Sequence, residues 1–118
     1  MRRLRSMSNR LEKLAALGCD VTGAMDRFLN DEEFYFSCYD KFMGDLGFVQ
    51  LKNDLNNHDI PAAFDCAHAL KGVIANLGLT SLYNVIDEIV EPLRAGTDEG
   101  LLSKYDKLME EREKYLLV

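Results

Sequence analysis

Apolar residues recur every three or four positions along most of this chain, and polar or glycine residues separate the repeats. This spacing is typical of amphipathic helices, because strands would alternate apolar and polar residues. No alternating run of useful length and no internal repeat occurs in the sequence. A chain of 118 residues is long enough for one domain with one core. The pattern therefore predicts a single all-α domain.

The periodic segments divide into short helices and four longer ones. The longer helices are predicted at 32–46, 60–77, 80–95 and 98–117. Short connections favour antiparallel neighbours, so we expect an antiparallel four-helix bundle with up-down-up-down topology. The short N-terminal helices should pack on one end or side of it. A further short helix is predicted at 48–55.

Capping residues mark where the predicted helices begin and end. We expect Asp20 or Thr22 to cap the second helix, and Thr80 and Thr97 to cap the last two. Gly78 should end the longest helix, because glycine readily adopts the left-handed conformation found just after helices. These signals place each boundary within a few residues.

The charge is unevenly distributed. The net charge is −6, yet the first 18 residues hold five Lys or Arg and one Glu. An acidic body argues against nucleic-acid binding, which requires a basic face. The basic segment and first helix, at 1–17, are either a tail for nucleic acid or membranes or simply a solvated helix end. No apolar run follows the arginines or approaches the ~20 residues of a membrane span, so we expect no signal peptide and no membrane partner.

The cysteines and histidines exclude several kinds of site. Cys19, Cys38 and Cys66 are widely spaced, which predicts neither a zinc knuckle nor a redox pair. Three reduced thiols fit a cytoplasmic protein, and a thiolate nucleophile is an open alternative for Cys66. Two histidines are too few for a centre of several imidazoles, so no metal is expected. The adjacent pair His58 and Asp59 leaves a metal-dependent phosphohydrolase as a minor alternative.

His68 is predicted to lie on the exposed face of its helix. On a helical wheel the core residues all lie at least about 120° from it. Those core residues are Ala63, Cys66, Leu70, Val73, Ile74 and Leu77. The residues within about 40° of the histidine are Pro61, Phe64, Gly72 and Ala75. Asp65 and Lys71 flank it at about 60° on either side.

The residues next to His68 suggest what reaction the imidazole could take part in. A glycine inside a helix costs about 1 kcal/mol relative to alanine, so Gly72 suggests that open space is needed beside the imidazole. Lys71 can reach that space. A neutral imidazole is a nucleophile near pH 7, and an ammonium can balance phosphoryl charge through a charge-assisted hydrogen bond. The arrangement indicates a phosphoryl-carrying site, or alternatively an ordinary surface histidine beside a surface lysine.

A family resemblance is carried by HALKG at 68–72 and NLGL at 76–79. Together they resemble the signature of histidine-containing phosphotransfer (HPt) domains, H-x-L-K-G followed by a glycine at this distance. The stretches at 18–28 and 93–96 are also similar to that family. Residues 18–118 would then form an HPt-like bundle. Val73 and Ile74 replace residues that are often small in the family, which should alter packing more than the site.

The resemblance implies a carrier rather than an enzyme. His68 would hold a phosphoryl group, usually on Nε2, passing between receiver-domain aspartates in two-component signalling, and Lys71 would stabilise it. The receiver would dock on Gly72, Phe64, Asp65, Ala75 and Asn76. No cofactor is expected, because the receiver supplies Mg²⁺. The implied partner is the receiver domain of a response regulator or hybrid sensor kinase, and the chain is expected to be a monomer.

Two residues near His68 and the function itself each have an alternative interpretation. Phe64 is either a docking residue or a core residue at the helix edge, and Asn76 either assists through its amide or is a plain helix-end polar residue. The alternative function is a helical-bundle interaction module that binds a receiver or kinase without carrying phosphate.

Overall fold

Seven helices make up the computed structural model, which describes residues 7–118. The helices are α1 (Asn9–Ala16), α2 (Val21–Arg27), α3 (Glu32–Met43), α4 (Gly47–Asn56), α5 (Ile60–Leu77), α6 (Thr80–Arg94) and α7 (Leu101–Leu116). Residues 7–118 contain no strand, which confirms the predicted all-α class. Arg2, Arg3 and Arg5 of the basic segment lie outside the described residues. None of the helices described is long and apolar enough to cross a bilayer.

Side-chain caps begin four of the helices. Ser8, Asp20, Asp31 and Asp59 each accept a hydrogen bond from the backbone N–H three residues later. Such caps satisfy donors that the first helical turn leaves free. Asp20 is therefore the cap of α2, one of the two alternatives that the sequence left open.

The third helix ends three residues earlier than predicted. α3 stops at Met43 rather than 46, and α4 starts at Gly47. The Asp45 carboxylate accepts a hydrogen bond from the Gly47 N–H at 2.6 Å, a local turn that competes with helical hydrogen bonding. The Arg112 guanidinium donates to the Met43 carbonyl, which satisfies one of the carbonyls at the end of α3. The predicted single helix to 46 is wrong for this reason.

The predicted caps of the last two helices are also wrong. Leu79 occupies the N-cap position of α6 and makes no side-chain cap bond, so Thr80 is the first helical residue. α7 begins after Gly100, which has φ +73°, rather than at 98. Thr97 instead accepts the Glu99 N–H within the preceding loop. A left-handed glycine at 100 interrupts the run of helical dihedrals, so the helix cannot start earlier.

The packing centres on α5. It lies against α4 on one side and α6 on the other, and α7 packs against both α6 and α4. The predicted bundle counted α3 among its four main helices and left α4 out. In the structure α4 makes the more extensive contacts, because Phe48, Leu51 and Leu55 continue the buried apolar face beyond the break.

The N-terminal helices gather at the end of the molecule where α5 and α7 terminate. The Tyr35 hydroxyl of α3 donates to the Leu77 carbonyl, and the Tyr39 hydroxyl donates to the Tyr115 carbonyl, both at 2.6 Å. Arg10 of α1 donates to the Val118 carbonyl at 3.1 Å. Through these contacts α1 and α3 both reach the end of α7.

Candidate functional site

His68 lies in the middle of α5 with its side chain exposed. On the opposite face Ala63, Leu70, Ile74 and Leu77 are buried, as the helical wheel indicated. Cys66 is only half-buried, and Val73, which the wheel placed on the core side, is 39% exposed. Val73 lines a shallow cavity between α5 and the break that separates α3 from α4, so no helix covers it there.

The imidazole is stacked on the side chain one turn earlier in α5. The Phe64 and His68 ring centroids are 5.4 Å apart and the ring planes differ by 16°. Phe64 is half-buried and packs against the core, so it is a helix-edge residue that also contacts the histidine. The Arg94 guanidinium of α6 lies 5.1 Å from the Phe64 centroid, within the range of a cation–π contact.

The ammonium of Lys71 is bound by α6. It donates to Asp87 Oδ1 at 2.6 Å and lies 3.8 Å from Glu91 Oε2 and 5.3 Å from the Tyr83 ring centroid. The hydrogen bond to Asp87 raises the pKa of Lys71, so the side chain is charged at neutral pH. The sequence placed this ammonium in the space beside His68, and the structure shows it shared with acidic side chains of the neighbouring helix.

The remaining predicted docking residues lie on the same exposed face. A Cβ on Gly72 would meet no atom within 4 Å, so there is open space at this position. Asp65, Ala75 and Asn76 are exposed. The carbonyls of Ala75 and Asn76 both accept hydrogen bonds from Arg27 of α2 at 3.0 Å. Arg27 thereby satisfies carbonyl groups in the last turn of α5.

Three residues of α6 belong to this neighbourhood although the sequence did not indicate them as site residues. They are Asp87, Glu91 and Arg94. One signal was available, because two carboxylates four residues apart repel each other on an isolated helix. Such a pair suggests cations on a neighbouring element, and Lys71 is one of them.

The other reactive side chains have different surroundings. His58 lies in the loop between α4 and α5, where its Nδ1 is 2.9 Å from Asp98 Oδ2. Residues 7–118 contain no group of three or more His, Cys, Asp or Glu that could hold a metal ion. The Cys66 thiol donates to the Gly47 carbonyl at 3.1 Å, and burial raises the pKa of that thiol. A raised pKa disfavours the thiolate, which argues against Cys66 as a nucleophile.

One protein-family model matches the part of the chain that contains His68. The family model described as Hpt domain matches residues 47–113, more than half of the sequence. The chain belongs to the Hpt domain family. The match runs from the start of α4 into α7 and includes His68, Lys71 and the acidic residues of α6. No curated protein and no solved structure matches the chain.

Membership in the Hpt domain family indicates the general role of the protein. Hpt domains are phosphotransfer carriers of two-component phosphorelays, and they interact with receiver domains. The Hpt match therefore confirms the family that the sequence predicted, and with it the predicted link to two-component signalling. α1, α2 and α3 lie outside the matched range.

Proposed function

We propose that His68 is the phospho-acceptor of this Hpt domain and passes a phosphoryl group to or from the aspartate of a receiver domain. The observation that carries the proposal is an exposed imidazole at the centre of the longest helix, inside the region that matches the family. An exposed ring can meet a second protein without any change of fold. The other histidine, His58, is in contact with Asp98 in a loop between helices.

In the transfer the Nε2 lone pair of a neutral imidazole attacks the phosphorus of an aspartyl phosphate. The P–O bond breaks and its electron pair remains on the aspartate carboxylate, while the new P–N bond forms. The reverse reaction returns the phosphoryl group to an aspartate. The receiver contributes the Mg²⁺ in this proposal, and the Hpt domain contributes the nucleophile without catalysing a reaction alone.

The charged residues around His68 would stabilise the phosphoryl group that the imidazole carries. Lys71 has one hydrogen bond to Asp87 among the described residues, and an ammonium has three donors. Arg94 adds a second cation on the far side of Phe64. We assign phosphate stabilisation to Lys71 and a supporting charge to Arg94. Phe64, Asp65, Gly72, Ala75 and Asn76 would form the receiver-docking surface.

The architecture is proposed to follow an antiparallel up-and-down order. α3 and α4 run consecutively along α5, with Tyr35 beside Leu77 and Gly47 beside Cys66. Together they would serve as one interrupted helix in a bundle completed by α5, α6 and α7. We further propose that 18–118 is the functional unit and acts as a cytoplasmic monomer.

The direct test is transfer of label from a phosphorylated receiver in the presence of Mg²⁺. Wild type should acquire acid-labile, base-stable label, and His68→Gln should acquire none. His58→Gln is the matched control, because it removes the only other histidine, and it should be labelled like wild type. Equal labelling of wild type and His68→Gln would contradict the proposal.

One observation favours a second candidate function. Because Lys71 is already engaged by Asp87, the face could bind a receiver or kinase without accepting phosphate. Binding to a receiver with no label on wild type would support such an interaction module.

A further inference from the structure

Two carboxylates of α6, Asp87 and Glu91, pair with the cations Lys71 and Arg94. Asp87 Oδ1 is 2.6 Å from the Lys71 ammonium, and Glu91 Oε2 is 3.8 Å from it. Glu91 Oε2 also lies 3.4 Å from the Arg94 guanidinium. Each cation therefore has an acidic partner in the unphosphorylated protein.

The two cations are related to the histidine in different ways. Lys71 follows His68 by three residues on α5, which places it about 60° round the helix and one turn along. Arg94 is linked to the histidine less directly, because its guanidinium contacts the Phe64 ring and that ring stacks on the imidazole. A phosphoryl group on His68 would therefore seek cations that the acidic pair already binds.

A phosphoryl group would change this balance. It brings between one and two negative charges and three acceptor oxygens, and cations bind such oxygens through charge-assisted hydrogen bonds. Lys71 and Arg94 would have to divide their interactions between the phosphoryl group and the carboxylates. Asp87 and Glu91 would at the same time repel the phosphoryl charge. Both effects favour the unphosphorylated imidazole.

We propose that Asp87 and Glu91 are positioning residues that hold Lys71 and Arg94 and compete with the phosphoryl group for them, which shortens the lifetime of phosphohistidine at position 68. The inference rests on the proposed function of His68. Its consequence is that the phosphoryl group stays readily transferable, because the site withholds part of its cationic stabilisation.

The test uses phosphoramidate, a small donor that needs no receiver. The imidazole attacks its phosphorus, the P–N bond of the donor breaks, and ammonia leaves with the electron pair and takes up the imidazole proton. ³¹P NMR then follows the loss of phosphohistidine after the donor is removed. Asp87→Asn and Glu91→Gln should each lengthen the half-life about two- to fivefold, the range that partly exposed ion pairs allow.

Glu88→Gln is the matched control. It removes the same charge from the residue next to Asp87, but its carboxylate pairs with Lys104 at 2.7 Å and Lys107 at 3.5 Å on α7. Its half-life should equal that of wild type. Equal lengthening by Glu88→Gln would overturn the proposal, because a general loss of negative charge would then explain the result.

The role of Lys71 is tested in variants that already carry Lys71→Gln. If Asp87 acts through this lysine, Asp87→Asn should lengthen the half-life much less when Lys71→Gln is already present. With Lys71 intact, Asp87→Asn and Glu91→Gln should both have longer half-lives than wild type. Half-lives equal to or shorter than that of wild type in both variants would contradict the competition.

The two proposals fail in different ways. Lengthened half-lives with no transfer to any receiver would reject the phosphorelay function and leave the competition in place. Transfer through His68 with unaltered half-lives would reject only the competition. A wild-type His68 that takes no phosphoryl group from phosphoramidate would contradict both.

Discussion

At the scale of one residue, Gly72 is a glycine that no contact within the described residues requires. It lies inside α5, where glycine is a poor helix former, yet a Cβ there would meet no atom within 4 Å. Packing within the domain therefore does not require glycine. We propose that the residue provides clearance for a docking receiver beside His68.

Two substitutions separate helix propensity from clearance. Gly72→Ala should raise the free energy of unfolding by about 1 kcal/mol, measured by urea denaturation, because alanine is the better helix former. Gly72→Leu should be at least as stable as wild type, since leucine is also a better helix former than glycine and its Cβ would meet no atom within 4 Å. It should nevertheless weaken receiver binding by about tenfold, equivalent to ~1.4 kcal/mol of lost contact. A leucine variant that binds as tightly as the alanine variant would rule out the clearance role.

At the scale of one element, the end of α5 joins it to α2. Gly78 adopts φ +74° and ends the helix, as its sequence position predicted. Its carbonyl accepts the Asp20 N–H at 3.0 Å, and a Cβ on Gly78 would lie 2.7 Å from the Asp20 carbonyl oxygen. Glycine is needed here both for its backbone conformation and for the close approach of α2.

Substitution of this glycine should therefore cost more than the left-handed conformation alone. Gly96 has φ +88° but open space around its Cβ, so Gly96→Ala should lower the free energy of unfolding by about 1–2 kcal/mol. Gly78→Ala should lower it by a further ~1–3 kcal/mol, since α2 must shift away. Thermal or urea unfolding of the two variants makes the comparison. Equal losses would show that the contact with α2 relaxes freely.

The interrupted helix is the element that the sequence described least well. Apolar spacing continues through 46, and it does not reveal that the Asp45 carboxylate caps Gly47 or that Arg112 binds the Met43 carbonyl. The contact between Asp45 and Gly47 is local and competes only weakly with helical hydrogen bonds. The second contact comes from a residue near the other end of the chain, which no local pattern can show.

At the scale of the whole molecule, buried tyrosines tie distant parts of the chain together. Tyr35 and Tyr39 join α3 to the ends of α5 and α7, and Tyr105 donates to the Phe48 carbonyl of α4 at 2.8 Å. Burial raises the pKa of Tyr35 and Tyr39, and it raises the pKa of Tyr115 to about 12. The fold therefore requires neutral phenols.

These shifts predict loss of stability in alkali. An unfolded tyrosine ionises near pH 10, so the stabilisation from Tyr115 is complete below that pH and is lost as the pH rises toward 12. Tyr115→Phe removes the hydroxyl whose ionisation causes this loss. The free energy of unfolding of this variant should fall less steeply between pH 10 and 12, by up to about 1.4 kcal/mol per pH unit. Parallel curves for the variant and wild type, measured by urea denaturation, would contradict the assignment.

By itself the sequence determined the helical class, the bounds of α5 and the exposure of His68, because these depend on apolar spacing, caps and wheel geometry within one segment. It also carried the signature of the family. Only the tertiary structure decided that α4 packs in the bundle, that Val73 stays exposed, and that Lys71 binds Asp87 and Glu91. Those outcomes depend on which residues of other helices lie opposite, and segments distant in sequence set them through packing and charge.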